Sequence, residues 1–378
     1  MYAKIFLLVL TISALWYLVM ILIFTFGWYR MKIFETSKRN FKTRVSVVVA
    51  YRNEENHMAH LLESLSKQSY PTENWDLILV DDHSEDAGSE KIKRFIDSHS
   101  DLSVKRIESD GIGKKAALLK GIQQADGSLI VTTDADCRVH PNWLVTMVSF
   151  YEQEHPLLIM GPVVYEEEKS SWQRLFSLDF MSLVASGAGS SAMNLPLMGN
   201  GANLAFERNI FLEAGAEAQK QHYASGDDVF LIHYLSAKYG SRAVRFIKNK
   251  ESLVHTPAPR NVQAFMQQRI RWGSKAKAYE AFWPLMVAVS VFLFNALLVV
   301  SFFVNFFVPW FVAIYLVFSL LKFFIDLPLL QAFAYFSNKR PLLIYLLPFE
   351  FIYPLYILYA ALNAMFNSYE WKGRSSLQ

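Results

Sequence analysis

The stretch Ile130-Val131-Thr132-Thr133-Asp134-Ala135-Asp136-Cys137 decides how this chain is read. Its first half is apolar or β-branched and predicts a buried strand. Its second half puts two carboxylates one residue apart where that strand should end. Open α/β sheets bind their ligands at the C-terminal ends of the strands. Carboxylates there suit a hard divalent cation, which brings phosphate oxygens with it. Taken alone, the plainer reading has the advantage: Asp134 opens a turn and Asp136 caps a helix, because Asp-x-Asp is common.

The flanking sequence changes that balance. Residues 45–50, 76–80 and 102–107 predict three further strands. Helical patterns separate them, through Leu61, Leu62 and Leu65, then Ile92, Phe95 and Ile96, then a loop and helix carrying Gly113-Lys114-Lys115-Ala116. This alternation implies right-handed βαβ units and a mainly parallel sheet. Three of the strands end in polar chemistry: Arg52 to Asn56, Asp81-Asp82, and Asp134-x-Asp136. Carboxylates recur where a sheet presents its ligand edge.

Downstream, residues 157–164 predict one strand, and 172–185 form a helix apolar over more than one face. That helix is either a core element or one lying on a membrane surface. Residues 187–191 are small and read as a flexible link. Met198-Gly199-Asn200-Gly201-Ala202-Asn203 is turn-rich, and its glycines fit either a ligand loop or a plain one. Ser225-Gly226-Asp227-Asp228 precedes an apolar helix over 229–235, where a cap is the competing explanation for the carboxylates. Gln268-Arg269-Ile270-Arg271-Trp272 follows a helical stretch from Val262.

The 378 residues carry a net charge of +3 and are 53% hydrophobic and 15% aromatic. That charge argues against a general nucleic-acid binder. The single cysteine, Cys137, excludes an intramolecular disulfide and a cysteine-based zinc site. Residues 5–28 are long and apolar enough to span a bilayer and fit a cleaved signal poorly. Arg30, Lys32, Lys38, Arg39, Lys42 and Arg44 follow, against Lys4 in front, which places the chain from Arg30 onward in the cytoplasm. Residues 282–304 and 308–325 predict two more spans. A third stretch, 342–366, is broken by Pro348, Glu350 and Pro354. Four spans would leave Lys372 and Arg374 outside, whereas charge bias prefers them inside with Lys339 and Arg340. Either the last stretch is partly interfacial or the bias fails there.

The ordered set Val80-Asp81-Asp82, Asp134-x-Asp136, Asp227-Asp228 and Gln268-x-x-Arg271-Trp272, between membrane segments, resembles the membrane-integrated inverting family 2 glycosyltransferases. These have the GT-A fold and include ceramide glucosyltransferases and the synthases of cellulose, hyaluronan and poly-N-acetylglucosamine. The resemblance runs from about Val45 to Trp272. It implies an α/β, Rossmann-like, mainly parallel catalytic domain over 45–280. Around it lie a transmembrane helix over 1–29, a basic cytoplasmic linker over 30–44, transmembrane or interfacial helices over 281–368 and a tail over 369–378. It implies a nucleotide-sugar donor, UDP-linked by expectation, and Mg²⁺ or Mn²⁺ held by Asp136 with help from Asp134. Tyr51, Arg52, Glu54, Asp82, Lys114 and Asp134 would bind the donor. Asp228 would be the general base. Arg271 would face the diphosphate, and Gln268 and Trp272 would serve the diphosphate and acceptor. The acceptor would be a hydroxyl of a membrane lipid or lipid-linked glycan, in the inner or cytoplasmic membrane.

Two departures stand out. Asp227-Asp228 replaces the usual Glu-Asp, which leaves Asp227 as a rival base. The membrane part is also smaller than polymer synthases use, which favours single transfer over the alternative of a processive polysaccharide synthase. A membrane scaffold that binds sugar nucleotides without turnover is the non-enzymatic alternative.

Overall fold

The computed structural model describes residues 2–37, 41–219, 227–279, 281–366, 370–371 and 374–375. The chain divides into two compact units. One comprises residues 31–167 and 198–257, the other 1–30, 168–197 and 258–378.

The first unit is built on a seven-stranded sheet. In chain order its elements are β1 (Val45–Tyr51), α2 (Met58–Ser66; α1 belongs to the other unit), β2 (Trp75–Asp81), α3 (Gly88–Ser98), β3 (Ser103–Glu108), α4 (Lys114–Gln123) and β4 (Leu129–Thr132). There follow α5 (Trp143–Glu154), β5 (Leu158–Met160), β6 (Val163–Tyr165), β7 (Leu204–Glu207), α7 (Arg208–Gln219), α8 (Asp227–Tyr239), β8 (Val244–Phe246) and β9 (Val254–Thr256). The strand order is β3-β2-β1-β4-β7-β5-β8. All neighbours are parallel except β7, which is antiparallel to both β4 and β5. β1, β2 and β4 are almost wholly buried, which their unbroken Val, Ile and Leu runs require of strands covered on both faces.

Residues 157–164 are not one strand. The chain leaves β5 at Gly161-Pro162 and enters a second, two-stranded parallel sheet, β6 with β9. Pro162 has no N–H to continue a ladder. Gly161 lies against Asn203, whose amide nitrogen would clash with any Cβ there. β7 carries no alternating pattern and was hidden behind the turn-rich run before it.

The second unit is helical: α1 (Tyr2–Arg30), α6 (Ser171–Ala192), α9 (Val262–Ser274), α10 (Phe282–Val304), α11 (Phe311–Phe336) and α12 (Leu346–Phe366). Among the described residues, four segments are long and apolar enough to cross a membrane: α1, α10, α11 and the stretch Arg340–Met365, which holds most of α12. α1 packs on α6, α10 and α11, while α12 packs on α9, α10 and α11. Residues 187–191 are not a flexible link but the buried end of α6. Their small side chains let α6 meet α1 backbone to backbone. A Cβ on Gly189 would overlap the Phe24 carbonyl, and one on Gly27 would overlap the Gly189 carbonyl.

Candidate active site

The polar ends of β1, β2 and β3 are laced together. The Tyr51 hydroxyl donates to Asp81 Oδ2 at 3.1 Å, and Arg106 donates to both the tyrosine oxygen at 3.0 Å and the same carboxylate at 3.1 Å. Ser84 N–H caps Asp81 Oδ1 at 2.8 Å. Burial pushes the Asp81 carboxyl up, but these hydrogen bonds outweigh it and hold the carboxyl below its ordinary value. Burial likewise pushes the Tyr51 hydroxyl up to about 12. Arg52 donates to the Asp82 carbonyl at 3.0 Å and the His83 carbonyl at 3.1 Å, and Glu54 accepts from or pairs with His57 at 2.9 Å. Tyr51, Arg52 and Glu54 thus shape the rim with contacts of their own.

Asp82 differs from its neighbour. It is 1% exposed, and the Gly113 N–H donates to its Oδ1 at 2.8 Å. Gly113 makes this contact at φ +99°, a conformation that favours glycine, immediately before α4. Burial outweighs the hydrogen bond and raises the Asp82 carboxyl above its ordinary value. A carboxylate kept in a buried position that penalises its charge is a candidate for ligand recognition.

Lys114, the first residue of α4, reaches across to the end of β4 and forms an ion pair with Asp134. Asp134 and Asp136 are both half-buried just past that strand, and the Cys137 thiol lies 3.7 Å from Asp136 Oδ1. Thr132, the last residue of β4, donates to the Gly201 carbonyl at 2.9 Å. Gly201 N–H in turn donates to Asp228 Oδ2 at 3.1 Å, and Val229 N–H holds Asp228 Oδ1 at 2.8 Å. A Cβ built on Gly201 would stand 3.8 Å from both Asp228 Oδ2 and Lys114 Nζ. The end of β4, the 198–203 loop and the start of α8 therefore bring Lys114, Asp134 and Asp228 into one neighbourhood. Ser225, Gly226 and the Asp227 side chain lie outside the described residues.

Among the described residues no three His, Cys, Asp or Glu side chains form a ready-made metal cage. The donor set still fits one kind of ion. Magnesium-type sites use one or two carboxylates and complete their shell with substrate phosphates and water. Asp134 and Asp136 supply that pair. The Lys114 ammonium at Asp134 shows that the position accepts positive charge.

In the helical unit, Gln268, Arg271 and Trp272 lie on α9. The residue between them, Arg269, went unremarked in the sequence yet organises the run. It is buried and donates from Nε to Asp179 Oδ2 of α6 at 2.5 Å and from Nη1 to Gln268 Oε1 at 2.8 Å. Its guanidinium lies 4.4 Å from the Trp272 ring centre and 4.5 Å from that of Phe265. Arg271 is half-buried on the same helix. A groove of about 560 Å³ separates α9 from α12, with walls of Met266, Ile270, Ile352 and Leu355 and the amides of Gln263 and Gln267 on the α9 side.

Other groups also escaped the sequence. Asn203 is wholly buried and joins three segments, donating to the Pro162 and Ser252 carbonyls at 2.8 Å each and accepting from Trp143 Nε1 at 3.0 Å. Lys322 of α11 is 1% exposed and paired with Asp326 at 2.6 Å and Glu350 of α12 at 2.7 Å, while the Tyr17 hydroxyl donates to Asp326 at 2.8 Å. Lysine and aspartate four apart in an apolar helix were the available signal, since intramembrane charges pair with one another.

A mainly parallel sheet with one antiparallel strand, whose strand ends carry acidic residues, in a chain with helices long and apolar enough to cross a membrane, matches one class: a GT-A domain of a membrane glycosyltransferase. The model of glycosyl transferase family group 2 matches residues 129–362, and that of glycosyl transferase family 2 matches residues 46–203. The chain belongs to the family 2 glycosyltransferases. The fold resembles that of the mannosyltransferase PcManGT from Pyrobaculum calidifontis, solved in complex with GDP-Man and Mn²⁺. That likeness has a TM-score of 0.60 at 17% identity and covers 95% of this chain and 98% of that one. Among curated relatives, the dodecaprenyl-phosphate galacturonate synthase of Rhizobium johnstonii is 35% identical over 31% of this chain and 35% of its own length. The undecaprenyl-phosphate 4-deoxy-4-formamido-L-arabinose transferase of Proteus mirabilis is 28% identical over 39% and 45%. The chain thus spans less than half the length of either relative.

Proposed function

We propose that this chain transfers a sugar from a nucleotide-sugar donor, UDP-linked, to a membrane lipid, with inversion at the anomeric carbon. The observation that carries the reading is the convergence of Lys114, Asp134 and Asp228 around Gly201 at the end of β4. Asp82, fixed by the Gly113 N–H, is assigned to the nucleoside side of the donor. Lys114 pairs with a carboxylate here and is assigned to a donor phosphate. Asp136 and Asp134 would hold Mg²⁺ or Mn²⁺, which neutralises charge on the leaving diphosphate when bound. The solved mannosyltransferase contains Mn²⁺, which supports a divalent ion.

Asp228 would take the proton from the acceptor hydroxyl as its oxygen attacks the anomeric carbon from the side opposite the leaving diphosphate. Two backbone N–H groups fix the orientation of its oxygens. Gln268, Arg271 and Trp272 are assigned to the diphosphate and acceptor on the resemblance of their run. The groove beside α9 borders a helix long and apolar enough to span a membrane and has apolar walls in Met266, Ile270, Ile352 and Leu355, which supports a lipid acceptor, while the small membrane part supports single transfer. The orientation in which α1 delivers residue 31 onward to the cytoplasm rests on the basic residues that follow it.

The names of the two relatives favour a second acceptor chemistry, a lipid phosphate. A phosphate monoester is already largely ionised at neutral pH and has no need of a base. Purified protein supplied with UDP-sugars, divalent metal and membrane lipids should release UDP and form glycolipid. Asp136→Ala should lower the rate by about a hundredfold or more, and Asp228→Asn by a comparable factor if the acceptor is a hydroxyl. Wild-type rates for Asp136→Ala across a broad donor panel would remove the metal-donor assignment. Wild-type rates for Asp228→Asn with loss in Asp227→Asn would move the base to Asp227, and wild-type rates for both would move the acceptor to a lipid phosphate.

A further inference from the structure

Three helices of the membrane unit meet at one buried carboxylate. Asp179 of α6 is 1% exposed and accepts from Arg269 Nε of α9 and from the Tyr356 hydroxyl of α12. Such a carboxylate makes its hydrogen bonds at the cost of full desolvation, so its partners are held in place. The Arg269 guanidinium is gripped on α9 itself, between the rings of Phe265 and Trp272. Phe265 stacks flat on Phe176 of α6 at 4.1 Å, and Phe180 of the same helix lies 5.9 Å from Trp272. Arg269 also donates to Gln268. The position of both outer residues of the Gln-x-x-Arg-Trp run is thereby set by one arginine, whose own position is set by Asp179. Tyr356 has a second allegiance, because its side chain lines the groove between α9 and α12.

We propose that Asp179, Arg269 and Tyr356 form a positioning latch that links the α9–α12 groove to Trp272 and Gln268, so that a lipid chain in the groove and the acceptor-side tryptophan are held in register. The inference rests on the assignment of Gln268, Arg271 and Trp272 given above. None of the three latch residues touches the reacting atoms. Lysine cannot reproduce the contact, because it lacks the planar fork that meets a carboxylate and an amide while stacking on two rings.

The test separates acceptor-dependent transfer from slow donor hydrolysis, both read as nucleotide release in the full-length protein. Arg269→Lys and Asp179→Asn should each lower transfer by about tenfold or more, since misplacement by ~1 Å costs up to about a hundredfold. Donor hydrolysis and donor affinity should stay within about twofold, and the double variant should be no worse than the poorer single one. A loss of folded protein would lower transfer and hydrolysis together, and that proportional result would overturn the latch. Tyr356→Phe keeps the ion pair and should raise the acceptor KM by about threefold or more, the order of one lost hydrogen bond. An unchanged acceptor KM there would sever the groove from the latch, including where the other variants fail to fold. Trp272→Ala and Arg271→Ala serve as the reference. Wild-type transfer in both would remove the assignment beneath the proposal, whereas their loss beside wild-type transfer in Arg269→Lys and Asp179→Asn would remove the latch alone.

Discussion

Adjacent carboxylates, Asp81 and Asp82, respond to one fold in opposite ways. The Asp81 carboxyl is held down by donors from Ser84, Arg106 and Tyr51, while that of Asp82 is raised by burial with one backbone donor. Asp81 therefore contributes stability that is present above its unfolded value near 3.8 and lost as pH falls through its lower folded value. For Asp82 the sign reverses: its contribution is present below that unfolded value and lost as pH rises through the raised one. Arg106→Met should cost about 2 kcal/mol at neutral pH, the worth of a charged hydrogen bond, and shift acid unfolding to higher pH. Asp82→Asn retains an oxygen for the Gly113 N–H and should leave the neutral-pH melting temperature at or above wild type while weakening donor binding by about tenfold or more. Melting curves against pH and calorimetric donor titration check both, and a destabilised Asp82→Asn would mark the residue as structural. The carboxylates were legible in the sequence because strand ends announce themselves. Arg106, Asn203 and Asp179 were not, because their partners lie 25, 60 and 90 residues away and only the fold delivers them.

Among the elements, the parallel strands β1, β2 and β4 were readable from apolar runs, β3 is a more polar and more exposed strand, and the ends of all four fell within a residue or two of expectation. β7 was not, since a four-residue strand antiparallel to both neighbours has no periodicity of its own. α6 shows the opposite failure. Glycine and serine at 187–191 read as a break by propensity, but close packing against α1 overrides propensity. Gly189→Val would force the two backbones apart. It should destabilise the membrane unit by about 1–3 kcal/mol, the range for overpacking, whereas Ser182→Val, half-buried on the same helix, should cost less. Thermal unfolding in detergent compares the two, and equal losses would show that the contact at Gly27 and Gly189 carries no special weight.

For the whole molecule, the apolar stretches after α1 were visible from hydropathy, the last left open between a span and an interfacial segment, whereas their internal charge balance was not. Lys322 sits between two carboxylates in the buried core of α11 and α12. Lys322→Met leaves those carboxylates without their shared ammonium and should cost about 3–5 kcal/mol, most of it recovered when Asp326→Asn and Glu350→Gln are added. The proposed orientation rests on the basic residues after α1 and on Lys339 and Arg340 after α11, which share one side of the membrane if α10 carries the chain across and α11 carries it back. The sole cysteine, Cys137, is fully buried and leaves the native chain silent to thiol reagents. Ser98→Cys places a thiol on the exposed face of α3, and Phe307→Cys places one between α10 and α11 at a position 87% exposed. A membrane-impermeant maleimide should label Phe307→Cys in intact cells and Ser98→Cys only after the membrane is opened. Labelling of Ser98→Cys from outside, with Phe307→Cys protected, would invert the chain and put the donor site on the side where nucleotide sugars are scarce.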